Sequence, residues 1–273
     1  MLLLLRGIYC NMFDRGFLGG KFVLCVGLFG LVGVASYIKH RKQSGGSVFM
    51  KTFFNELESQ IYKAVKDDFK EIAKKIGKEK INAISLVTDG DCITLRLSLN
   101  TVEYMEKTDA DYGYSDGSSR DRIIAQIEDK LSAEEIEKYK SLPLETTKYS
   151  PDEWGYHDHD LKGGEVLKIS KLLYSKNEKM DFPSEEDYLE WKKMFFETAN
   201  AALQRLIHEN HFGLDPNDVA YFVCMTDADE VGEEMMNNSL KLLSTQNIYE
   251  EFIKGYDEEI MTAIDSALQS LHQ

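Results

Sequence analysis

Residues 81–99, INAISLVTDGDCITLRLSL, contain two short strand-like runs on either side of an aspartate-rich turn. Polar and apolar residues alternate in the second run, which indicates a strand with one wet face and one buried face. Asp89-Gly90 lies between the runs, and Asp-Gly is a hairpin signal because glycine tolerates positive φ. The sequence therefore predicts a β-hairpin with strands at 81–87 and 92–99.

A third strand and several helices surround this hairpin. Residues 219–226, VAYFVCMT, are the most apolar strand-like run and predict a central strand of the sheet. Apolar residues recur every three or four positions over 52–76, which predicts an amphipathic helix. Similar patterns predict long helices at 185–211 and 248–271.

The predicted helices outnumber the strands and do not alternate with them strictly. This order favours an α+β fold over a doubly wound α/β fold. The predicted architecture is a small, mostly antiparallel sheet, formed by the hairpin and the central apolar strand, packed by several long amphipathic helices.

The first 49 residues differ in charge from the rest of the chain. They carry six Lys or Arg and one acidic residue, a net charge of +5, whereas residues 50–273 carry 26 basic and 46 acidic residues, a net charge of −20. The sequence thus predicts a basic leader at 1–49 and a single acidic α+β domain at 50–273. Residues 22–38 of the leader have no charge and are long enough for a short transmembrane helix.

Three interpretations of the leader remain open. The basic cluster 39–42 after the apolar run favours a single-pass membrane protein with a cytoplasmic C-terminal domain. Gly33 and Ala35 also fit a small-residue cleavage site, as in a signal peptide. Met50 directly precedes a strong helix, and if translation starts there the leader is absent and the protein is cytoplasmic.

The acidic body restricts the kind of partner. Nucleic-acid binding through phosphate neutralisation needs clustered Lys and Arg, so a net charge of −20 argues against a nucleic-acid partner. An acidic surface attracts basic molecules and speeds encounter with them. The composition therefore predicts a basic protein partner.

Two pairs of acidic residues each follow a predicted strand in a Thr-Asp-x-Asp pattern, and they are candidate binding residues. The pairs are Asp89 with Asp91 and Asp227 with Asp229. If the two strand ends are neighbours, their carboxylates could hold a hard cation such as Mg²⁺. The alternative is structural: the first pair shapes a turn and the second caps the following helix.

Histidines provide the other candidate metal ligands. His157 and His159 point to one face if the segment is extended, and could bind zinc with a third ligand; a solvated loop is the alternative. His208 and His211 are three residues apart on a predicted helix, where they could chelate a metal or interact with the helix dipole.

Familiar enzyme motifs are missing from the sequence. The chain has no P-loop, no G-x-G-x-x-G fingerprint, no G-x-S-x-G elbow and no H-E-x-x-H. None of the four cysteines forms a C-x-x-C pair. No catalytic residue and no cofactor are predicted.

Three stretches together resemble the bacterial family known as domain of unknown function 4303. They are the hairpin from Ser85 to Thr101, the segment Tyr149–Tyr156 (YSPDEWGY), and Val219–Asp229 with the following helix and IYEEF at 248–252. The resemblance covers the chain from about Met50 onward and implies a helix-rich α+β fold, but no activity. It also marks Trp154 and Tyr156 as structural or binding residues.

The features favour a non-enzymatic protein-binding module. One concrete form is an immunity-type protein that neutralises a basic bacterial toxin. The alternatives are a metal-dependent hydrolase that uses the Asp or His clusters, and a membrane-tethered cytosolic interaction domain.

Overall fold

The computed structural model describes residues 35–180, 182, 184–255 and 257–271. The α-helices in this part of the chain are α1 (Ala35–Ile76), α2 (Val102–Tyr112), α3 (Ser118–Ile127), α4 (Ala133–Ser141), α5 (Glu165–Asn177), α6 (Glu185–His208), α7 (Glu230–Leu243), α8 (Gln246–Lys254) and α9 (Glu258–Ser270). The strands are β1 (Ile81–Thr88), β2 (Arg96–Thr101), β3 (Tyr156–His157) and β4 (Ala220–Met225).

The strands form one sheet in the order β3-β2-β1-β4. The β1–β2 and β2–β3 pairs are antiparallel, and β1–β4 is parallel. Helices dominate the described residues around this small mixed sheet, which confirms the predicted α+β class. The predicted hairpin is confirmed by the antiparallel β1–β2 pairing, but its second strand begins at Arg96 rather than at residue 92. Residues 89–95 therefore separate the strands, and Cys92 adopts a φ of 54°.

The prediction that residues 219–226 form a central strand is wrong, because β4 lies at one edge of the sheet. Every residue of β4 is nevertheless buried, as in a central strand. Helix α7 covers its open edge: Ser239 Oγ accepts the backbone N–H of Val223 at 2.7 Å, and Ser244 Oγ accepts that of Tyr221 at 2.8 Å. These hydroxyls take the place of a neighbouring strand. The apolar run therefore has the composition of a central strand, although β4 is an edge strand.

The main core lies where α1 and α6 pack together beside the sheet. The predicted apolar stripe of α1 is confirmed, since Leu57, Ile61 and Val65 are fully buried. Trp191 of α6 is also fully buried and stacks on Phe53 with ring centroids 5.9 Å apart. Apolar burial of this kind is the main favourable contribution to folding.

A second, smaller apolar cluster joins α3, α4 and α9. The buried Arg120 ties α3 to the segment that follows α4, since its guanidinium donates to the carbonyl of Leu142 at 2.7 Å and to that of Pro143 at 2.5 Å. Arg120 lies in helix α3, and most of the polar segment 107–120 is helical, since α2 ends at Tyr112 and α3 begins at Ser118.

The leader is mostly outside the described residues. No helix in the described residues is long and apolar enough to cross a bilayer. Of the predicted span 22–38, only the last four residues belong to the described part, at the start of α1.

Candidate functional site

The carboxyl ends of β1 and β4 meet at one edge of the sheet. Thr88 lies opposite Met225 in the parallel register, and the N–H of Thr226 donates to the carbonyl of Thr88 at 2.8 Å. The two Thr-Asp-x-Asp segments are therefore neighbours. In open sheets of parallel strands, the carboxyl edge is where ligands commonly bind.

The carboxylates at this edge take different roles. Asp89 Oδ1 accepts the N–H of Ile93 at 2.9 Å and shapes the loop. Asp229 Oδ1 accepts the N–H of Gly232 at 2.8 Å and caps α7, and this hydrogen bond holds the pKa of Asp229 below its usual value. These two contacts fit the structural alternative for the acidic pairs.

Asp91 and Asp227 face solvent instead. Asp91 accepts a hydrogen bond from the Tyr188 hydroxyl, and Asp227 is exposed with a φ of 54°. Over the stretch that the structure describes, no three His, Cys, Asp or Glu side chains form a group that could hold a metal ion.

Helix starts add further carboxylates to the same edge. We define the acidic edge as the exposed residues Asp91, Glu185, Glu186, Asp227, Asp229 and Glu230. The start of α6 lies beside the strand ends. Tyr188 of this helix donates a hydrogen bond to Asp91, and Lys192 Nζ lies 3.5 Å from Asp229 Oδ2. Among the described residues, Lys192 is the one Lys or Arg with a nitrogen within 4.0 Å of an acidic-edge carboxylate.

Sequence reasoning missed Tyr188 and Lys192. The run Glu185-Glu186-Asp187 after the capping residue Ser184 marks the start of a helix. Nothing in the linear sequence places that start beside a strand about 95 residues earlier. The contact is a product of tertiary packing.

Trp154 lies in the interior. Its side chain is 3% exposed, its indole N–H donates to the carbonyl of Thr147 at 2.8 Å, and its ring meets Phe222 edge to face at 5.8 Å. Tyr156 is half-buried and donates to Glu79 Oε2 at 2.8 Å; burial, with that hydrogen bond, raises the pKa of Tyr156 to about 12. Of the two roles considered for these residues, the contacts of Trp154 support the structural one.

The segment before Trp154 attaches helix α8. Tyr149 donates to the carbonyl of Ile248 at 3.3 Å and packs edge to face on Phe252 at 5.0 Å. Lys148 Nζ lies 2.9 Å from both carboxylate oxygens of Glu251. Two of the stretches that carry the family resemblance are thus in direct contact.

His157 forms a hydrogen bond within the fold. Its Nδ1 lies 2.9 Å from Ser98 Oγ. Burial lowers the pKa of His157 to about 4, so the ring is neutral at pH 7. His159 stacks on it with centroids 4.9 Å apart. A metal ion at Nδ1 would have to displace the hydrogen bond with Ser98.

The other histidine pair does not share a helix. Helix α6 ends at His208, and His211 follows in the next turn. His211 Nε2 lies 2.6 Å from the Tyr62 hydroxyl and 2.8 Å from Glu209 Oε2. The hydrogen bonds from Tyr62, Arg205 and His211 lower the pKa of Glu209 to about 2.

Two buried carboxylates also escaped sequence reasoning. Asp158 Oδ1 accepts the N–H of Leu97 at 2.9 Å, and burial raises the pKa of Asp158 to about 6. Asp68 accepts the N–H groups of Glu165 and Val166 at 2.9 and 2.8 Å. It thereby caps α5 from α1, where the capping position itself is Gly164.

The fold and its polar groups define an α+β domain with an internally bonded turn and an exposed acidic edge. Residues 61–245 match the family model "Domain of unknown function (DUF4303)". The chain belongs to this family, as its hairpin, its YSPDEWGY segment and its β4 region suggested. No curated protein and no solved structure matches the chain.

Proposed function

We propose that this protein is a non-enzymatic binding module whose acidic edge docks onto a basic protein. The carrying observation is that six exposed carboxylates belong to three chain segments that contact one another at this edge, where the largely covered Lys192 pairs with Asp229. Such a surface steers a basic partner by long-range attraction and fixes its orientation at short range.

The distribution of charge along the chain supports this choice of surface. Residues 180–273, which supply most of the acidic edge, carry 5 basic and 20 acidic residues. Their net charge of −15 is most of the −20 of the body. The segments that supply most of the acidic edge therefore also carry most of the negative charge that would attract a basic partner.

The internal bonding of the other candidate residues supports a binding role over catalysis. Trp154 and His157 use their polar atoms within the fold. A group that acts on a substrate must reach the reacting atoms, and Trp154 is buried.

A concrete form of this proposal is an immunity-type protein that neutralises a basic bacterial toxin. The test uses the basic protein encoded beside this chain's gene and measures its association by surface plasmon resonance. Glu230→Lys should weaken binding about tenfold or more, mainly by slowing association, and the remaining binding should fall as salt rises.

Glu134→Lys is the matched control. Glu134 is exposed in the first turn of α4, as Glu230 is in the first turn of α7, so both variants change the net charge and the helix dipole alike. The control should change affinity less than about twofold. Equal losses in both variants, or no basic neighbour that binds, would refute the proposal.

We further propose that residues 22–38 tether the domain to a membrane when the leader is translated. The support is the uncharged run and the basic cluster that follows it. Recovery of the full-length product in the soluble fraction alone would contradict the tether.

A further inference from the structure

Helix α5 presents an apolar and basic face to solvent. Leu167, Lys171 and Tyr174 occupy positions i, i+4 and i+7 and therefore share one side of the helix. Leu167 is 40% exposed and Tyr174 is 52% exposed. Large apolar side chains next to lysines on an exposed helix are typical of surfaces that lie in a membrane interface.

The charge of this region is opposite to that of the rest of the body. Residues 162–179 carry five lysines and two glutamates, a net charge of +3, whereas the other residues from 50 to 273 have a net charge of −23. Considering the described residues alone, Lys162, Lys171 and Lys179 have no Asp or Glu oxygen within 4.0 Å. Their charges are available to an external anionic surface.

The face is rigid before it meets a partner. Val166, Ile169 and Leu173 are buried beneath it, and Asp68 of α1 caps its first turn. Helix α1 therefore holds α5 in place. A preformed surface binds without the entropic cost of ordering a flexible segment.

We propose that the exposed face of α5 docks peripherally on an anionic phospholipid bilayer. Leu167 and the Tyr174 ring would enter the boundary between headgroups and acyl chains, while Lys171 contacts phosphates. One convex helix with two apolar anchors is too small for the roughly 1,000 Å² that a stable protein complex buries. A bilayer needs only a few anchors and local positive charge, so it fits this face better than an acidic protein does.

The test places a fluorescent probe on the face itself. Tyr174→Trp introduces an indole at an exposed position, and Val231→Trp introduces a matched indole on the first turn of α7, where Val231 is 38% exposed. The native indoles of Trp154 and Trp191 are buried at 3% and 0% exposure and form a constant background. The full chain is mixed with vesicles of brominated phosphatidylcholine, with or without phosphatidylglycerol.

The expected result is quenching of the Tyr174→Trp indole that requires phosphatidylglycerol and decreases with salt, with little quenching of the Val231→Trp indole. Because the probe is local, binding through the leader alone would sediment the protein without this quenching. Sedimentation without selective quenching, equal quenching of both probes, or equal quenching in neutral vesicles would overturn the proposal.

A charge variant supplies the second measurement. In the Tyr174→Trp background, Lys171→Glu should raise the phosphatidylglycerol concentration for half-maximal quenching about tenfold or more. Lys254→Glu is the control, since Lys254 is an exposed lysine of α8 and the change in net charge is the same. It should shift that concentration less than about twofold. Equal shifts in the Lys171→Glu and Lys254→Glu variants would show that only the net charge of the protein matters, and would also overturn the proposal.

Discussion

The turn at Trp154–Asp158 and the acidic edge carry similar chemical groups but present them in opposite directions. In the turn, an indole, an imidazole and a carboxylate all bond to other groups of the same domain. At the acidic edge, six carboxylates face solvent. Burial costs free energy unless each polar group has a partner, so the turn uses its polar groups for folding, whereas the carboxylates of the edge stay in water, where the proposed basic partner would meet them.

The largest expected difference between the two regions comes from Trp154→Ala. Loss of the indole removes core packing and one of the two hydrogen bonds that the Thr147 carbonyl accepts, so the free energy of unfolding in urea should fall by about 3–5 kcal/mol. Asp227→Ala at the acidic edge should change that free energy by no more than about 0.5 kcal/mol. Similar losses of unfolding free energy in Trp154→Ala and Asp227→Ala would contradict the distinction between the internally bonded turn and the exposed edge.

The next effect concerns pH. Folding raises the pKa of Asp158 from 3.8 to about 6, so the folded state holds the proton more tightly and stability decreases as pH rises through this window. Asp158→Asn removes the effect, and its stability relative to wild type should therefore increase by about 3 kcal/mol between pH 3.5 and 7.5. Urea unfolding at several pH values measures the difference.

His157 should give the opposite trend. Its pKa falls from 6.5 to about 4 on folding, so its contribution to stability is present above pH 6.5 and is lost as pH falls toward 4. The stability of His157→Gln relative to wild type should therefore increase as pH is lowered. Parallel trends in the two variants would show that one of these groups is not buried as described.

A smaller loss is expected at Gly155. A methyl group there would lie 2.5 to 2.9 Å from three ring carbons of Tyr104, closer than atoms can approach. Gly155→Ala should cost roughly 2 kcal/mol of stability, in the range typical of overpacking. Shortening the obstacle with Tyr104→Ala in the same chain should recover part of that loss. If the stability loss of the double variant equals the sum of the losses of Gly155→Ala and Tyr104→Ala, the result would contradict this packing.

The smallest effect sharpens the comparison within the acidic edge. Asp229→Ala removes the cap of α7 and should cost about 1 kcal/mol, whereas Asp229→Asn retains a side-chain acceptor and should cost less. The native pKa of Asp229 is lowered, so its contribution is present above its unfolded value of 3.8 and is lost as pH falls below it. Thermal unfolding of both variants at pH 7 measures the difference. Equal stability of Asp229→Ala and Asp229→Asn would contradict the role of the Asp229 side chain as the cap of α7.

Local patterns predicted several elements correctly. The apolar stripe of α1 and the apolar periodicity that predicts α6 from residue 185 depend on neighbours three or four residues away, and both are confirmed. From the sequence, a shared site at the two Thr-Asp-x-Asp segments required that the two strand ends be neighbours. The parallel pairing of β1 with β4 shows that they are. The edge position of β4 was missed because hydroxyls of Ser239 in α7 and of Ser244 just after it take the place of a neighbouring strand.

By itself, the sequence determined the α+β class, the family, the break in charge at about residue 50 and the acidity of the body. These properties are sums or short-range periodicities, which the order of residues fixes directly. Tertiary structure decided which polar residues are partners and which are exposed. Trp154 and Asp91 look equally available in the sequence, and only the packing of distant segments buries one and leaves the other in water.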